Sequence, residues 1–414
     1  MIVLSHPTGN NNVREAAVAL AESDQLQEFH TCIAACGDNV FDKLACFPSL
    51  SEIKRRACPN TLFPYLQLHP WREIFRLAAG RFGFDFLTKH ESGFLSIDSI
   101  YRSLDKSVSN RLSKGSVRAV YCYEDGALET FRSAKKNGVK CIYDLPIGYW
   151  RAGHKIMQEE VARRPDWGPT MLGLQDSKEK LDRKEEELKI ADQIIVASSF
   201  TRKTLEECSF SLAPISMIPY GCGSISTSPV KKSKDGPLRV LFVGGLSQRK
   251  GIADLFEAVG LLEGQVALTL IGRKTISDCP VLNNALRAHN WIPSLPHEGI
   301  LRAMRNHDVL VFPSLFEGFG LVVTEALSQG LPVITTNHTC GPDVITDGLD
   351  GFIVPIRSSE AISEKLEKLC NDRLLLSEMS AMALKKANER AWSFYRSGIS
   401  RIVDSIIQEN TCRF

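Results

Sequence analysis

Short, fully apolar runs rich in β-branched residues recur along this chain, each followed by a stretch of helical periodicity, and the series occurs twice. In the first part, Ile2–Ser5 and residues 117–123, 139–143 and 193–197 read as strands. Helices at 13–21 and from a turn at 124–126 to Lys136 fall between them. In the second part the strands are Leu238–Val243, Val266–Ile271, Val309–Phe312 and residues 332–335, with helices near 252–262, His297–Arg305 and 321–329. Strands that are apolar throughout, rather than alternating, are buried on both faces, which is the pattern of parallel sheets covered by helices. The fold class is therefore α/β. Between the two series, residues 224–236 (SISTSPVKKSKDG) are polar and lack any period, as a linker does. This divides the chain into residues 1–223, a linker at 224–236, residues 237–391, and a terminal helix at 392–414. Two such halves enclose a cleft, and sheets of this kind bind ligands beyond the carboxyl ends of their strands.

The remaining features mostly exclude functions. With 414 residues the chain can bury a large core without staples. A net charge of only +2 removes the electrostatic footprint of a nucleic-acid binder. The 12 cysteines are scattered; the closest pair, Cys32 and Cys36, is a CxxxC, and Cys122 and Cys141 sit in apolar strands, so reduced thiols are expected rather than disulfides or zinc. The amino terminus lacks a basic region ahead of a long apolar one, and no run approaches the roughly 18 to 20 apolar residues of a membrane span. A cytoplasmic protein is expected, with peripheral membrane contact left open. Residues 176–189 are densely charged, with Leu174, Leu181 and Leu188 on one stripe, and read as a solvated helix packed along a narrow seam. Residues 50–112 show no clear period and carry aromatic and proline clusters (Phe63-Pro64, His69-Pro70-Trp71).

The chemistry concentrates in VFPSLFEGFGLVVTEALSQGLPVITTNHTCGPDVITDGLDGFIVP, residues 311–355. A strand ends near Pro313, and a turn containing Gly318 and Gly320 opens a helix that carries Glu325. The glycines allow close backbone approach, and the start of the helix presents unpaired N–H groups with partial positive charge, suited to a phosphate or a polar sugar. Glu317 and Glu325 flank that point; carboxylates only accept hydrogen bonds, so they suit hydroxyls rather than phosphates. Asp343 and Asp347 read as local turn or cap residues.

Glu317-x7-Glu325, with GFG after the first glutamate, resembles the E-x7-E signature of the family 4 glycosyltransferases, group 1, of GT-B fold. GGLSQRKG at 244–251, LTLIGRK, GLPVITT and GxxGFIVP extend the resemblance over the second half; in the first half it rests on Gly9 and ADQIIVASSFTRKTL. The resemblance implies two Rossmann-like domains facing each other across a cleft, with a carboxy-terminal helix, beginning at Trp392, that crosses back to the first. It implies retaining transfer of a hexosyl group from a nucleoside-diphosphate sugar to an acceptor hydroxyl of a polysaccharide, glycolipid or other glycoconjugate. No cofactor or metal is implied, the nucleotide sugar being a co-substrate.

The same resemblance assigns the residues. Glu325 would hold the ribose hydroxyls and Glu317 the transferred sugar, with Gly318, Phe319, Gly320 and Leu321 lining the sugar and phosphate pocket. Lys250 would hold the diphosphate. The family often has arginine where Gly245 stands, and Arg249 would supply that guanidinium from another backbone position. Gly9 would face the donor across the cleft, while Asp144 and His154 are the candidates on the acceptor side. His6 fits a packed histidine as well as a substrate contact. Three other readings remain: a phosphorylase, an epimerase of related fold, and a nucleotide-sugar-binding subunit without turnover. The first would usually need a pyridoxal lysine, for which the sequence has no clear context. The last is opposed by the intact pair of glutamates with Lys250 and left open by Gly245.

Overall fold

A computed structural model describes residues 1–37, 39–45, 53, 55–112, 117–226 and 236–411. Its strands form two wholly parallel sheets. The first joins β1 (Ile2–Ser5), β2 (Leu26–Thr31), β3 (Leu66–Leu68), β4 (Ala119–Tyr123), β5 (Lys140–Leu145), β6 (Gln193–Val196) and β7 (Ile215–Met217) in the order β3-β2-β1-β4-β5-β6-β7. The second joins β8 (Leu238–Val243), β9 (Val266–Ile271), β10 (Asn290–Ile292), β11 (Val309–Phe312), β12 (Val333–Thr336) and β13 (Gly351–Val354) in the order β10-β9-β8-β11-β12-β13. The strands read as wholly apolar are the central ones: β1, β4, β6 and β11 are buried at every position. The short outer strands β3, β7 and β10 are partly exposed and carry little hydrophobic signal, so their sequences do not announce them.

In each sheet the strand order reverses once, between β1 and β4 and between β8 and β11. Chains leaving neighbouring strands at such a reversal diverge to opposite faces and leave a crevice. Ser5 pairs with Cys122, so His6 emerges level with Tyr123 at the first reversal, and Glu124 follows one residue further on. At the second, the loops after β8 and β11 carry Arg249, Lys250 and Glu317. The terminal helix Trp392–Thr411 crosses back and packs along the helix Asn11–Glu22, where Ser400 Oγ donates to Ala19 O at 3.1 Å. Of the segment read as a linker, residues 227–235 lie outside the described residues.

Two expectations need correction here. The charged helix, Lys178–Ile190, buries more than a narrow leucine seam: Lys184, Glu185 and Glu187 are buried beside Leu188. The Glu187 carboxylate accepts from the backbone N–H groups of Asp125, Ala127 and Leu128, capping the helix Leu128–Lys136, while Arg183 stands 3.3 Å away as counter-charge. Charge spacing cannot distinguish a solvated face from one whose charges are paired internally. The irregular region also resolves into structure, including the helices Trp71–Arg81 and Ile97–Arg111. Among the described residues no helix is long and apolar enough to cross a membrane, and the described cysteines are free thiols, with Cys122 and Cys141 buried.

Candidate functional site

After β8 the chain passes through Gly244 and Gly245 into one short 3-10 turn, Gln248–Lys250, which Gly251 ends at φ +69°. A Cβ on Gly251 would lie 2.0 Å from Pro313 O, so only glycine lets this loop touch the loop after β11. Leu315 N–H then donates to Arg249 O at 2.9 Å, and the contact brings the cations to the acid. The Lys250 ammonium pairs with the Glu317 carboxylate and lies 4.8 Å from the centre of the Phe312 ring. Arg249 donates to Phe316 O at 2.6 Å and stands 3.6 Å from Glu317. Burial, with the adjacent Arg249 charge, pushes the Lys250 ammonium well below the usual lysine range; burial lowers Arg249 to about 10. Two cations held together in a desolvated cleft form a site that an anion would stabilise.

Gly320 caps the following helix, Leu321–Ser328, at φ +86°. Phe319, Gly320, Leu321, Glu317 and Lys250 line a cavity of about 410 Å³, whose far wall is His6, Asn12 and Tyr123 of the first half. Val243 and Gly244 connect it to a larger cavity of about 670 Å³ lined by Glu325, His297, Arg273 and Arg14. Glu325 lies one helical turn inside the helix, 3.8 Å from His297, and burial pushes its carboxyl up to about 7. On the other side Lys250 also lines a third cavity, of about 370 Å³, with Arg249, Glu124, Trp150 and His154.

The remaining candidates take different places. Gly318 does not line the 410 Å³ cavity: a Cβ there would lie 1.8 Å from Pro146 O, and its own carbonyl accepts from Ser198 Oγ at 2.5 Å and Thr201 Oγ1 at 2.8 Å. It is a contact between the halves. The neighbouring Phe316 ring fills a socket that exists because positions 148 and 153 are glycine. Gly9 shapes its loop at φ +54°, with its N–H donating to His6 Nδ1 at 3.1 Å, and its Cα faces Thr31 rather than the cleft. Asp144 is corrected: it is buried in β5 and accepts from Tyr121 OH at 2.6 Å, so no substrate reaches it. Burial pushes its carboxyl up to about 7, against the pull of the tyrosine hydroxyls. His154 is on the wall of the third cavity, with Nε2 3.1 Å from Gly173 O. Asp347 accepts from Ile353 N–H as a turn residue, whereas Asp343 caps across the halves, accepting from Ser199 N–H at 2.8 Å.

Sequence reasoning left His6 undecided and overlooked Glu124. Nδ1 of His6 accepts from the N–H groups of both Thr8 and Gly9, so the ring carries its proton on Nε2, which lies 3.5 Å from Tyr101 OH. Burial lowers His6 to about 3 and keeps it neutral. The available signal was positional, since both residues directly follow strands at the first reversal. For a metal, the one grouping among the described residues is His90, Glu91 and Asp176. Lys180 already occupies it, 3.1 Å from Asp176 and 2.9 Å from Asp98.

Residues 225–390 match the family described as Glycosyl transferases group 1. Over this segment the chain is similar to group 1 glycosyltransferases. A phosphatidyl-myo-inositol mannosyltransferase of Mycobacterium leprae is 29% identical over 173 residues, 40% of this chain and 46% of that protein. The capsular polysaccharide biosynthesis glycosyltransferase CapM of Staphylococcus aureus is 42% identical over 147 residues, 32% of this chain and 37% of its own length. The matched stretch thus spans less than half of either relative. Solved structures align over nearly the whole chain. Sucrose-phosphate synthase of Thermosynechococcus elongatus has a TM-score of 0.70 at 16% identity and covers 99% of both chains. Anabaena HepE in complex with UDP-glucose has a TM-score of 0.62 at 14% identity, covering 98% of this chain and 99% of its own. At such identities the likeness establishes the fold, which is GT-B.

Proposed function

We propose that this protein is a group 1 glycosyltransferase, retaining and metal-independent, that moves a hexosyl group from a nucleoside-diphosphate sugar to an acceptor hydroxyl. The observation that carries the reading is the pairing of Lys250 with Glu317 at the mouth of the helix opened by Gly320, between a cavity holding Glu325 and one walled by the first half. In this reading the nucleoside occupies the 670 Å³ cavity with its ribose hydroxyls on Glu325. The diphosphate crosses Gly244 to Lys250 and the N–H groups at Gly320 and Leu321. As the nucleoside diphosphate departs, charge grows on its phosphate, and donors already aimed at that charge lower the barrier. Glu317 is then released from Lys250 to accept sugar hydroxyls, as an acid with no proton to give does best. Arg249 neutralises the same region from beside Glu317, which accounts for a glycine at 245. His6 Nε2–H faces the sugar from the other wall.

The named relatives support the direction: one is a mannosyltransferase, and HepE is seen with UDP-glucose. A peripheral membrane contact also has a suitable surface. Within residues 71–94, Trp71, Phe82, Phe86 and Phe94 are each more than 65% exposed and Lys89 is exposed, a composition that suits a lipid headgroup layer. The test of the main reading is a panel of nucleotide sugars, UDP-glucose first, scored by thermal shift and by donor hydrolysis with and without EDTA. A stabilised protein that hydrolyses one donor in EDTA is expected. A protein that neither binds nor hydrolyses any member of the panel would overturn it.

A further inference from the structure

The third cavity, about 370 Å³, has no role in donor binding as described above. It lies between the helix Trp150–Arg163 and the loop of Gly245 and Arg249, and Lys250 is the residue it shares with the 410 Å³ cavity. A ligand in it would therefore lie next to the cations assigned to the diphosphate.

Its polar end is unusual. Glu124 follows β4 at the strand-order reversal and is only 7% exposed. Its Oε2 is held by Lys184 Nζ at 3.2 Å, yet its Oε1 is buried without a hydrogen-bond partner among the described residues. A buried carboxylate oxygen left without a donor costs free energy, and native structures rarely leave one so unless a ligand or water completes it. Lys184 itself lies 3.6 Å from Asp125 and 3.8 Å from Asp176, so the carboxylate is held in orientation. Burial and the nearby Asp125 push the Glu124 carboxyl up to about 7 against the pull of Lys184. Apolar and aromatic walls come from Met157, Met171, Leu172 and Trp150, whose indole N–H is likewise buried without a partner among the described residues, and polar ones from Ser247 and Thr275.

We propose that this cavity is the acceptor subsite and that Glu124 Oε1 accepts a hydrogen bond from a hydroxyl of a neutral saccharide. The proposal rests on the glycosyltransferase reading. At this end of the cavity Lys184 is already paired with Glu124 and lies near Asp125 and Asp176, so the polar group on offer is a carboxylate oxygen that accepts from a hydroxyl, while an aromatic ring and thioethers suit the C–H faces of a sugar. Glu124 orients one hydroxyl while a second attacks. The attacking oxygen bonds to the anomeric carbon as that carbon's bond to the phosphate oxygen breaks. The acceptor's proton passes to the departing phosphate oxygen, so no further reactant is needed.

The test uses the full chain and methyl glycosides of glucose, mannose and galactose as acceptor probes, bound by ligand-observed NMR without donor. Donor affinity is measured separately by calorimetry. In Glu124→Gln the amide oxygen is taken by Lys184, and its NH2 group replaces the free oxygen; in Glu124→Leu no polar atom remains. Saccharide affinity is expected to fall about tenfold or more in both variants, the loss of one hydrogen bond to a charged group. Donor affinity is expected to stay within twofold, showing that the protein is folded. Unchanged saccharide binding in a variant that still binds donor overturns the proposal, as does a wild type that binds none of the glycosides. Failure of the donor reading appears separately, as a wild type that binds saccharide but no nucleotide sugar.

Discussion

Replacing Gly318 by alanine should open the cleft without touching the donor site. The added Cβ would lie 1.8 Å from Pro146 O and 2.7 Å from Ile147 Cα, both backbone atoms that cannot swing aside. Ordinary contact requires at least 3.4 Å, so the two segments must move apart by about 1.6 Å. Such a shift breaks the hydrogen bonds from Ser198 Oγ and Thr201 Oγ1 to Gly318 O, and in the opened state water takes their place. At about 1 kcal/mol net for each bond, the closed arrangement loses about 2 kcal/mol, or roughly 30-fold in its population relative to the open one. Where turnover requires the closed form, the rate falls with that population. The assays are the radius of gyration by small-angle scattering with donor bound, and the rate of donor hydrolysis. Gly260→Ala is the control, because nothing lies within 4 Å of its added carbon. If Gly318→Ala kept the wild-type radius and a rate within twofold, the contact would not be what holds the halves together.

Lys250→Ala should weaken binding of the nucleotide sugar and lower turnover, while a nucleoside without phosphates binds as before; calorimetry with both ligands checks this. Glu325 gives a pH dependence. Its carboxyl titrates at about 7 in the empty site, and hydroxyls donate best to the ionised form, so donor affinity should fall as pH drops through 7. Between pH 8 and pH 6 the ionised fraction changes about tenfold, and so should the apparent Kd; the diphosphate of a nucleotide sugar, esterified at both ends, does not titrate there. Glu325→Gln should flatten that slope, and an unchanged slope would assign it elsewhere. Phe82→Ser with Phe86→Ser should reduce co-sedimentation with vesicles containing anionic lipid, without changing donor affinity; equal sedimentation would remove the membrane surface from the reading.

By itself the sequence determined the layered α/β architecture, because strands buried on both faces are apolar at nearly every position, and β1, β4, β6 and β11 are legible for that reason. It also determined the second half of the cleft. Arg249, Lys250, Glu317 and Glu325 lie on loops and one helix start whose glycines mark close approach, and local backbone chemistry is written locally. The first half was different. Asp144 and Glu124 are both acids at the ends of central strands. Only the packing decided that Tyr121 would satisfy one while the other, on a cavity wall, kept a buried oxygen without a partner among the described residues. The same holds for Lys184 and Glu187, which resemble a solvated helix face until the neighbours that pair with them are in place. Gly318 looked like part of the donor loop and became a contact between halves, since Pro146 is more than 170 residues away in sequence and 1.8 Å from its missing Cβ. Burial and pairing depend on groups distant along the chain, and no local pattern encodes them.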